Sequence, residues 1–385
     1  MAEKPVVRVK ASSVPTLTVD SFQNLNQRLG LGSGSQMDGS GYAFQYISRN
    51  RMLLEAAYRT SWIVGAAVDF IAEDMTKAGI VYEGGLEPDD VEVMQAAWRD
   101  LMIGSELANV ERWARLYGGS IGFIMIDGQR PETPLRLDTI GEGQFRGILP
   151  FDRWVAQAQT GQLVTEMGPD FGLPKYYHVF QDVSQAVPNM VIHHSRVIRR
   201  IGIPLPYYQR AQELLWGESV IERFWDRLLA FDSATTGAAQ LVFKAYLRTL
   251  TVDGYRDLVA SGGKLFEGFA KSIETIRFFQ NTEGLTVIDG KDKFETHAYT
   301  FTGLPEVIQE MAAQICGALE MPRTRLFGDS PGGLGSNGEG ELKQYYQQIG
   351  RKQENQHRRP VQLILDVMSR TGRRCWFSCL RPICW

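Results

Sequence analysis

The sequence predicts an α+β fold, and three observations carry the prediction. Apolar residues recur at steps of three and four along several segments, the period of a helix with one buried face. The clearest such run is Leu304, Ile308, Met311, Ile315 and Leu319. Short apolar runs closed by turn residues, such as 120–126 before Asp127-Gly128, read as strands. The segment 304–370 reads as helix, glycine-rich loop and long helix, and the rest of the chain is organised around it.

The chain has 385 residues, a length that allows two or three domains. A net charge of −3 points to no strongly nucleic-acid-binding surface overall. The longest apolar run, 62–68, is far short of the ~20 residues a membrane helix requires. The first residues, Met1-Ala2-Glu3-Lys4-Pro5, lack the apolar core of a signal peptide. Cys316 falls on a helical stripe and reads as a small buried hydrophobe, and the cysteine usage fits a reduced, cytosolic setting.

Taken in order, residues 1–42 read as an N-terminal arm, because 30–41 is almost wholly Gly, Ser, Gln and Asp. Helical patterning begins at Asn50, with Trp62, Ala66, Phe70 and Ile71 on a stripe toward Met75. Asp69, Glu73 and Asp74 raise a metal site, but no His or Cys accompanies them, so a solvated helix face is expected. Residues 86–118 continue helically to Gly118-Gly119. Strands follow at 120–126, 147–150, 154–157, 176–180 and 189–193. A helix starts near Gly217 and runs to about Arg248. Glu218 and Ser219 are placed to meet the free N–H groups of its first turn. Ser233, Ala234 and Ala238 form a small-residue face on it that suits close helix packing between subunits. A compact insert is expected from 251 to 303, with a helix at 255–260, a bend at 262–263 and strands at 285–288 and 294–299. Pro305 opens the helix at 304 and Pro322 ends it.

The loop that follows, the histidines and the C-terminal cysteines carry only incomplete catalytic or metal motifs. A phosphate cradle needs G-x-x-x-x-G-K-[ST], and here Gly340 is followed by Glu341. His193-His194-Ser195 fits one H-x-S half of the two-histidine phosphoesterase pattern. A second H-x-[ST] is lacking, since His178, His297 and His357 precede other residues. No G-x-S-x-G elbow occurs. Cys375, Cys379 and Cys384 lack a fourth ligand for zinc. No catalytic residue, metal site or cofactor is therefore assigned. Residues 371–385, with three cysteines, two tryptophans and no period, read as an atypical, truncated or frameshifted terminus.

The string Met321-Pro322-Arg323-Thr324-Arg325-Leu326-Phe327-Gly328-Asp329-Ser330-Pro331-Gly332-Gly333-Leu334, with Gly338-Glu339 and Tyr345-Tyr346 after it, resembles the portal proteins of tailed double-stranded DNA phages. Weaker likenesses lie at 68–80, 115–126, 191–198 and 216–221, so the resemblance spans roughly 45–368. It implies a mixed α/β wing at 43–215, a stem helix at 216–250 and a small clip at 251–303. A second stem helix at 304–321, a channel loop at 322–340 and a long helix toward the crown at 341–370 complete it. It also implies a homo-oligomeric ring, commonly dodecameric, at a capsid vertex of the virion, assembled with capsid and scaffold in the host cytoplasm. Such a ring passes double-stranded DNA during packaging and ejection, and docks a terminase motor and head-completion or tail adaptor proteins. The channel residues it indicates are Gly328, Asp329, Ser330, Gly332, Gly333, Gly335 and Asn337. Arg323 and Arg325 at the loop base are the cationic candidates, with pairing to carboxylates such as Glu320 as the alternative. The other readings are a phosphoesterase-like enzyme and a different phage structural adaptor.

Overall fold

The computed structural model describes residues 46–83, 88–180, 188–243, 246–251, 263–282, 293–298, 303–328, 339–371 and 381–383. Helix α1 (Arg51–Thr60) is opened by Asn50, whose side chain accepts a 3.1 Å hydrogen bond from the Leu53 N–H and satisfies a first-turn donor. Helix α2 (Trp62–Thr76) buries Ile63, Val64, Ala67, Val68, Ile71 and Met75. A helix apolar over so much of its circumference belongs in a core. Strand β1 (Val81–Glu83) leads to α3 (Pro88–Asp100) and α4 (Ile103–Tyr117). The helical stretch expected at 86–118 is thus two helices, parted at Met102, whose φ of 51° is left-handed. Gly118, at φ 85°, terminates α4, a conformation that costs glycine little.

Strands β2 (Gly119–Ile126), β3 (Phe145–Asp152), β4 (Ala156–Ala158), β5 (Tyr176–Val179), β6 (Met190–His193) and β7 (Val197–Ile201) make two antiparallel sheets. Their orders are β3-β2-β7 and β4-β5-β6. Strand β2 is buried on both faces. Ile121 and Phe123 meet Tyr177, Val179 and Ile192 of the second sheet, while Ile124 and Ile126 share a core with Leu107 of α4. A continuous apolar run is what a doubly covered strand requires. The stretch 191–198, one of the weaker likenesses, is broken by a 3₁₀ turn at His194–Arg196 that carries the chain from one sheet to the other.

Helix α5 (Tyr207–Gln212) precedes α6 (Val220–Phe243). Ser219 acts as expected, its Oγ accepting from the Ile221 N–H at 3.2 Å. Glu218 instead exchanges backbone hydrogen bonds with Ile203, 3.0 and 2.9 Å long. Strand β8 (Tyr246–Thr251), α7 (Gly263–Thr282) and β9 (Lys293–Ala298) form the insert, with β8 and β9 antiparallel. The helix therefore ends at Phe243, short of Arg248, and the twenty-residue α7 starts where only a bend was expected. The expected helix at 255–260 and strand at 285–288 lie outside the described residues.

Helix α8 (Leu304–Leu319) is followed by one helical turn, α9 (Arg323–Leu326), so the loop base is ordered backbone. The expected long helix is two helices, α10 (Glu339–Gln356) and α11 (Arg358–Thr371), interrupted at His357. Strand β10 (Arg381–Ile383) pairs antiparallel with β1. Cys375, Cys379 and Cys384 fall outside the described residues.

The largest core joins α1, α2 and the end of α4 to Ile221, Phe224 and Leu228 of α6, Ile315 and Leu319 of α8, and Tyr345 and Ile349 of α10. The start of α6 and the end of α8 share this core, so the two helices run as an antiparallel hairpin.

Candidate functional site

Three segments that carry the sequence likeness, 68–80, 321–328 and 345–346, meet at one carboxylate. Asp74 lies in the last turns of α2 and is 4% exposed. Its Oδ2 accepts from Arg325 Nε at 3.0 Å and from the Tyr345 hydroxyl at 2.8 Å. Its Oδ1 accepts from Lys77 Nζ at 3.0 Å. The Arg325 guanidinium lies 3.9 Å from the Phe70 ring centroid, a cation–π contact on the same helix. Lys77 also donates to the Tyr346 hydroxyl at 3.3 Å. Burial pushes the Asp74 pKa up, but hydrogen bonds from Arg325, Lys77 and Tyr345 overcome it and hold the group below the usual range. Burial and the hydrogen bond to Asp74 push the Tyr345 phenol up, so it stays a donor.

The aromatic of the loop base is seated too. Phe327 contacts Trp62 of α2 at a centroid distance of 5.4 Å and Phe231 of α6 at 6.0 Å, and Leu326 is buried. Gly328 takes φ 71°. Of the two cationic candidates, Arg325 is held by Asp74, while Arg323 opens α9. Glu320 instead lies near Arg223, 3.9 Å, and Lys352, 3.5 Å. Asp329, Ser330, Gly332, Gly333, Gly335 and Asn337 lie outside the described residues.

The three small residues of α6 do not share one face. Ser233 is exposed, whereas Ala234 and Ala238 are half-covered within the single chain. Exposed Leu229, Thr236 and Gln240 lie on the open side with Ser233.

A second polar node closes the α10–α11 break. Arg200 of β7 donates to Glu111 Oε2 through Nε at 2.8 Å and Nη2 at 2.6 Å, and to the Gln356 carbonyl at 2.9 Å. His357 Nε2 lies 3.7 Å from the same carboxylate oxygen. All of Glu111, Arg200 and His357 are buried. Arg200 and His357 overcome the burial of Glu111 and hold its pKa far below the usual range. Burial lowers His357, so the charged pair is Glu111 with Arg200.

The sheet region and the hairpin join through backbone. The Gly118 carbonyl accepts from both Gly202 N and Gly217 N at 3.0 Å. A Cβ on Gly202 would stand 2.3 Å from the Glu218 carbonyl oxygen, and one on Gly217 would stand 2.4 Å from that of Ile203. A Cβ on Gly119 would stand 2.3 Å from the Trp216 ring.

His193 and Ser195 do come together, His193 Nδ1 to Ser195 Oγ being 3.0 Å. Burial, then His194, Lys175 and Arg196, push His193 down to about 4. Ser195 Oγ accepts from the Leu135 N–H at 2.8 Å, and buried Arg196 donates to the Thr133 carbonyl at 2.7 Å. Both residues thereby pin the 129–135 connection. His178 points to Gln159, 3.2 Å away, and not to His193. Asp69 binds Arg112, 2.6 Å, and the Tyr58 hydroxyl, 3.0 Å. Among the described residues no three His, Cys, Asp or Glu side chains are grouped to hold a metal, and no helix is long and apolar enough to cross a membrane.

These features define an α+β chain with a helical hairpin and a carboxylate-pinned loop base. The sequence model of the phage portal protein family matches residues 52–376. The chain belongs to that family. It is 27% identical over 370 residues to a Sphingomonas paeninsulae protein named anti-CBASS protein Acb1, covering 90% of this chain and 56% of that one. It is 26% identical over 345 residues to an uncharacterized protein of Haemophilus influenzae, covering 88% and 75%. A Caulobacter protein with the Acb1 name is 27% identical over 342 residues, covering 86% and 53%. The chain spans about half the length of the two relatives that bear that name. Among solved structures, the neck of a native gene transfer agent particle, computed with C12 symmetry, has the same fold. Its TM-score is 0.53 at 12% identity, over 89% of this chain and 85% of that one.

Proposed function

We propose that this chain is the subunit of a closed homo-oligomeric ring at one vertex of a phage capsid. The ring is the conduit through which double-stranded DNA enters during packaging and leaves during ejection. It docks a terminase motor on one side of infection and head-completion or tail adaptor proteins on the other, in the virion and, during assembly, in the host cytoplasm. The observation that carries this reading is the α6–α8 hairpin. Its base is sunk in the main core, yet the open side of α6 presents Leu229, Ser233, Thr236 and Gln240 to solvent. In the ring this side would be covered by a neighbour, and head-to-tail contacts that close give cyclic symmetry. The C12 symmetry of the gene transfer agent neck supports a ring of twelve. In this reading 216–250 and 304–321 are stem, 251–303 clip and 322–340 channel loop, and the subunit performs no bond-breaking step.

The test is negative-stain imaging with native mass spectrometry of the purified chain. The expected result is a ring with a central hole, and a monomer at every concentration sinks the reading. Deleting 332–336 should leave the ring assembled and impair packaging or retention of the genome. The segment from Gly328 to Gly340 contains no Lys or Arg, so it meets DNA sterically, without gripping phosphates.

The name anti-CBASS protein Acb1 on two relatives favours a second reading, an anti-CBASS role. The part of this chain that bears on it is His193 and Ser195, one half of a phosphoesterase pair. A phosphodiesterase turnover that His193→Ala abolishes overturns the portal-only reading. No turnover above buffer is the outcome the ring reading expects.

A further inference from the structure

We propose that α5 and α3 are the two halves of a head-to-tail contact between copies of this chain. Tyr207 and Tyr208 of one copy seat around Val93 of the next, and Arg210 pairs with Asp89 and Glu92. That the contact closes into a ring rests on the reading above; the contact itself does not.

Helix α5 is held firmly in place while burying none of its side chains. Tyr207 is 81% and Tyr208 82% exposed, and their rings meet edge to face at 5.7 Å. The chain leaves α5 through Leu214 and Leu215, at φ 53° and 66°. Two consecutive leucines in the left-handed region carry a backbone strain that glycine would avoid. What the turn secures is the end of the helix. Glu213 meets Arg49 at 2.7 Å and Arg153 at 3.2 Å, and the Leu215 N–H reaches the Arg210 carbonyl at 2.8 Å. A strained, anchored helix that adds nothing to the core is suited to presenting its outer residues. Tyrosine and arginine are the types that anchor interface cores.

This side is also cationic. Arg210 forms no ion pair among the described residues, and its Nε is buried without a hydrogen-bond partner. Arg199, nearby, donates to the Leu215 carbonyl and lies over the Trp216 ring at 4.6 Å. Burial and the charge of Arg210 push Arg199 below the usual arginine range. Neither guanidinium has a carboxylate partner among the described residues.

The complementary surface is on α3. Val93 is 63% exposed, with exposed Asp89 one turn before it on the same face and exposed Glu92 beside it. Neither carboxylate enters a hydrogen bond or ion pair among the described residues. The two surfaces stand at opposite ends of β2. Gly217, just beyond α5, donates to the Gly118 carbonyl where the strand begins, and Trp216 lies against Gly119. Met94 of α3 shares its core with Ile124 and Ile126 where the strand ends. An eight-residue strand at about 3.4 Å per step is roughly 24 Å long. Two unlike surfaces so placed do not meet within one chain. Between copies they make a heterologous contact, the kind that closes into a ring or runs on as a filament.

The experiment joins the two surfaces by a disulfide. Val93→Cys and Tyr208→Cys are placed together, and separately, in a background of Cys316→Ala, Cys375→Ser, Cys379→Ser and Cys384→Ser. Both sites are exposed, so the variants should keep the background's melting temperature. On oxidation the double variant should give a ladder of covalent oligomers, and each single variant only monomer. In a second arm, Arg210→Glu, or Asp89→Arg with Glu92→Arg, should raise the concentration at which the oligomer dissociates by roughly tenfold. Native mass spectrometry reads this, and combining all three changes should restore the parent value. A ring that forms without the ladder, or charge reversals without mutual rescue, overturns the contact and leaves the ring standing. Covalent dimers from a single variant show a surface that faces itself and overturn it too. A ladder from open filaments keeps the contact and overturns the closed ring, and a monomer at every concentration overturns both.

Discussion

The sheet region and the α6–α8 hairpin satisfy their residues in opposite ways. Strand β2 is covered on both faces, and the backbone joint around Gly118 closes inside one chain. The hairpin shares that closed core only at its base, through Phe224, Leu228, Ile315 and Leu319. Farther along α6, Ser233, Thr236, Ala239 and Gln240 face solvent. One region is finished by its own fold, and the other keeps an open side that the proposed ring would cover. A perturbation of the first should therefore be read in unfolding, and a perturbation of the second in assembly.

The largest effect should come from breaking the sealed charge pair. Glu111→Ala leaves Arg200 buried without its carboxylate, at a cost of about 3–5 kcal/mol. Urea unfolding should show it, and a midpoint near the parent's would mean that water reaches the pair. Next, Gly119→Ala drives a Cβ into Trp216 and should cost about 1–3 kcal/mol by overpacking. A change of fluorescence from the displaced indole should accompany it.

Asp74→Asn should cost about 1–3 kcal/mol, the scale of weakened hydrogen bonds at a charged group. Its pH dependence sharpens the assignment. The folded pKa of Asp74 is held low, so its contribution is complete above about pH 4, the unfolded value, and is lost as pH falls below it. The variant should lose part of the acid-side slope of stability, and the alkaline slope should also change, because Asp74 raises Lys77 and Tyr345 in the fold. The smallest effect on unfolding should come from Ser233→Trp, within about 0.5 kcal/mol as for other exposed sites, yet the oligomer should dissociate at lower dilution. Ala238→Trp, half-covered against its own chain, should weaken both folding and assembly. Equal behaviour of these two variants would erase the contrast between the faces of α6.

Much of this architecture is legible in the sequence because it is local. The step of three and four from Leu304 to Leu319 gives α8, and the run 120–126 gives β2, each within a residue or so. Helix α7 was legible as well. Phe269, Ile273 and Ile276 keep helical spacing, although Gly262-Gly263 just before them reads as a bend. The break at His357 is marked by Pro360, which cannot donate to the Gln356 carbonyl, but the contacts that seal it, with Glu111 and Arg200 far back in the chain, leave no mark. The role of Asp74 is hidden for the same reason. A carboxylate on a helix beside Glu73 looks solvated until Arg325 and Tyr345, more than two hundred residues later, are folded against it.

The joint around Gly118 has a consequence at the level of the gene. What it demands of positions 119, 202 and 217 is the absence of a side chain, because backbone or an indole ring already occupies the space. Every missense change at a glycine codon introduces a Cβ, whichever base is altered. These positions therefore have no conservative neighbours one mutation away. A saturation library should show them as intolerant to every substitution, in contrast to Gly65 and Gly350, where a Cβ meets nothing within 4 Å.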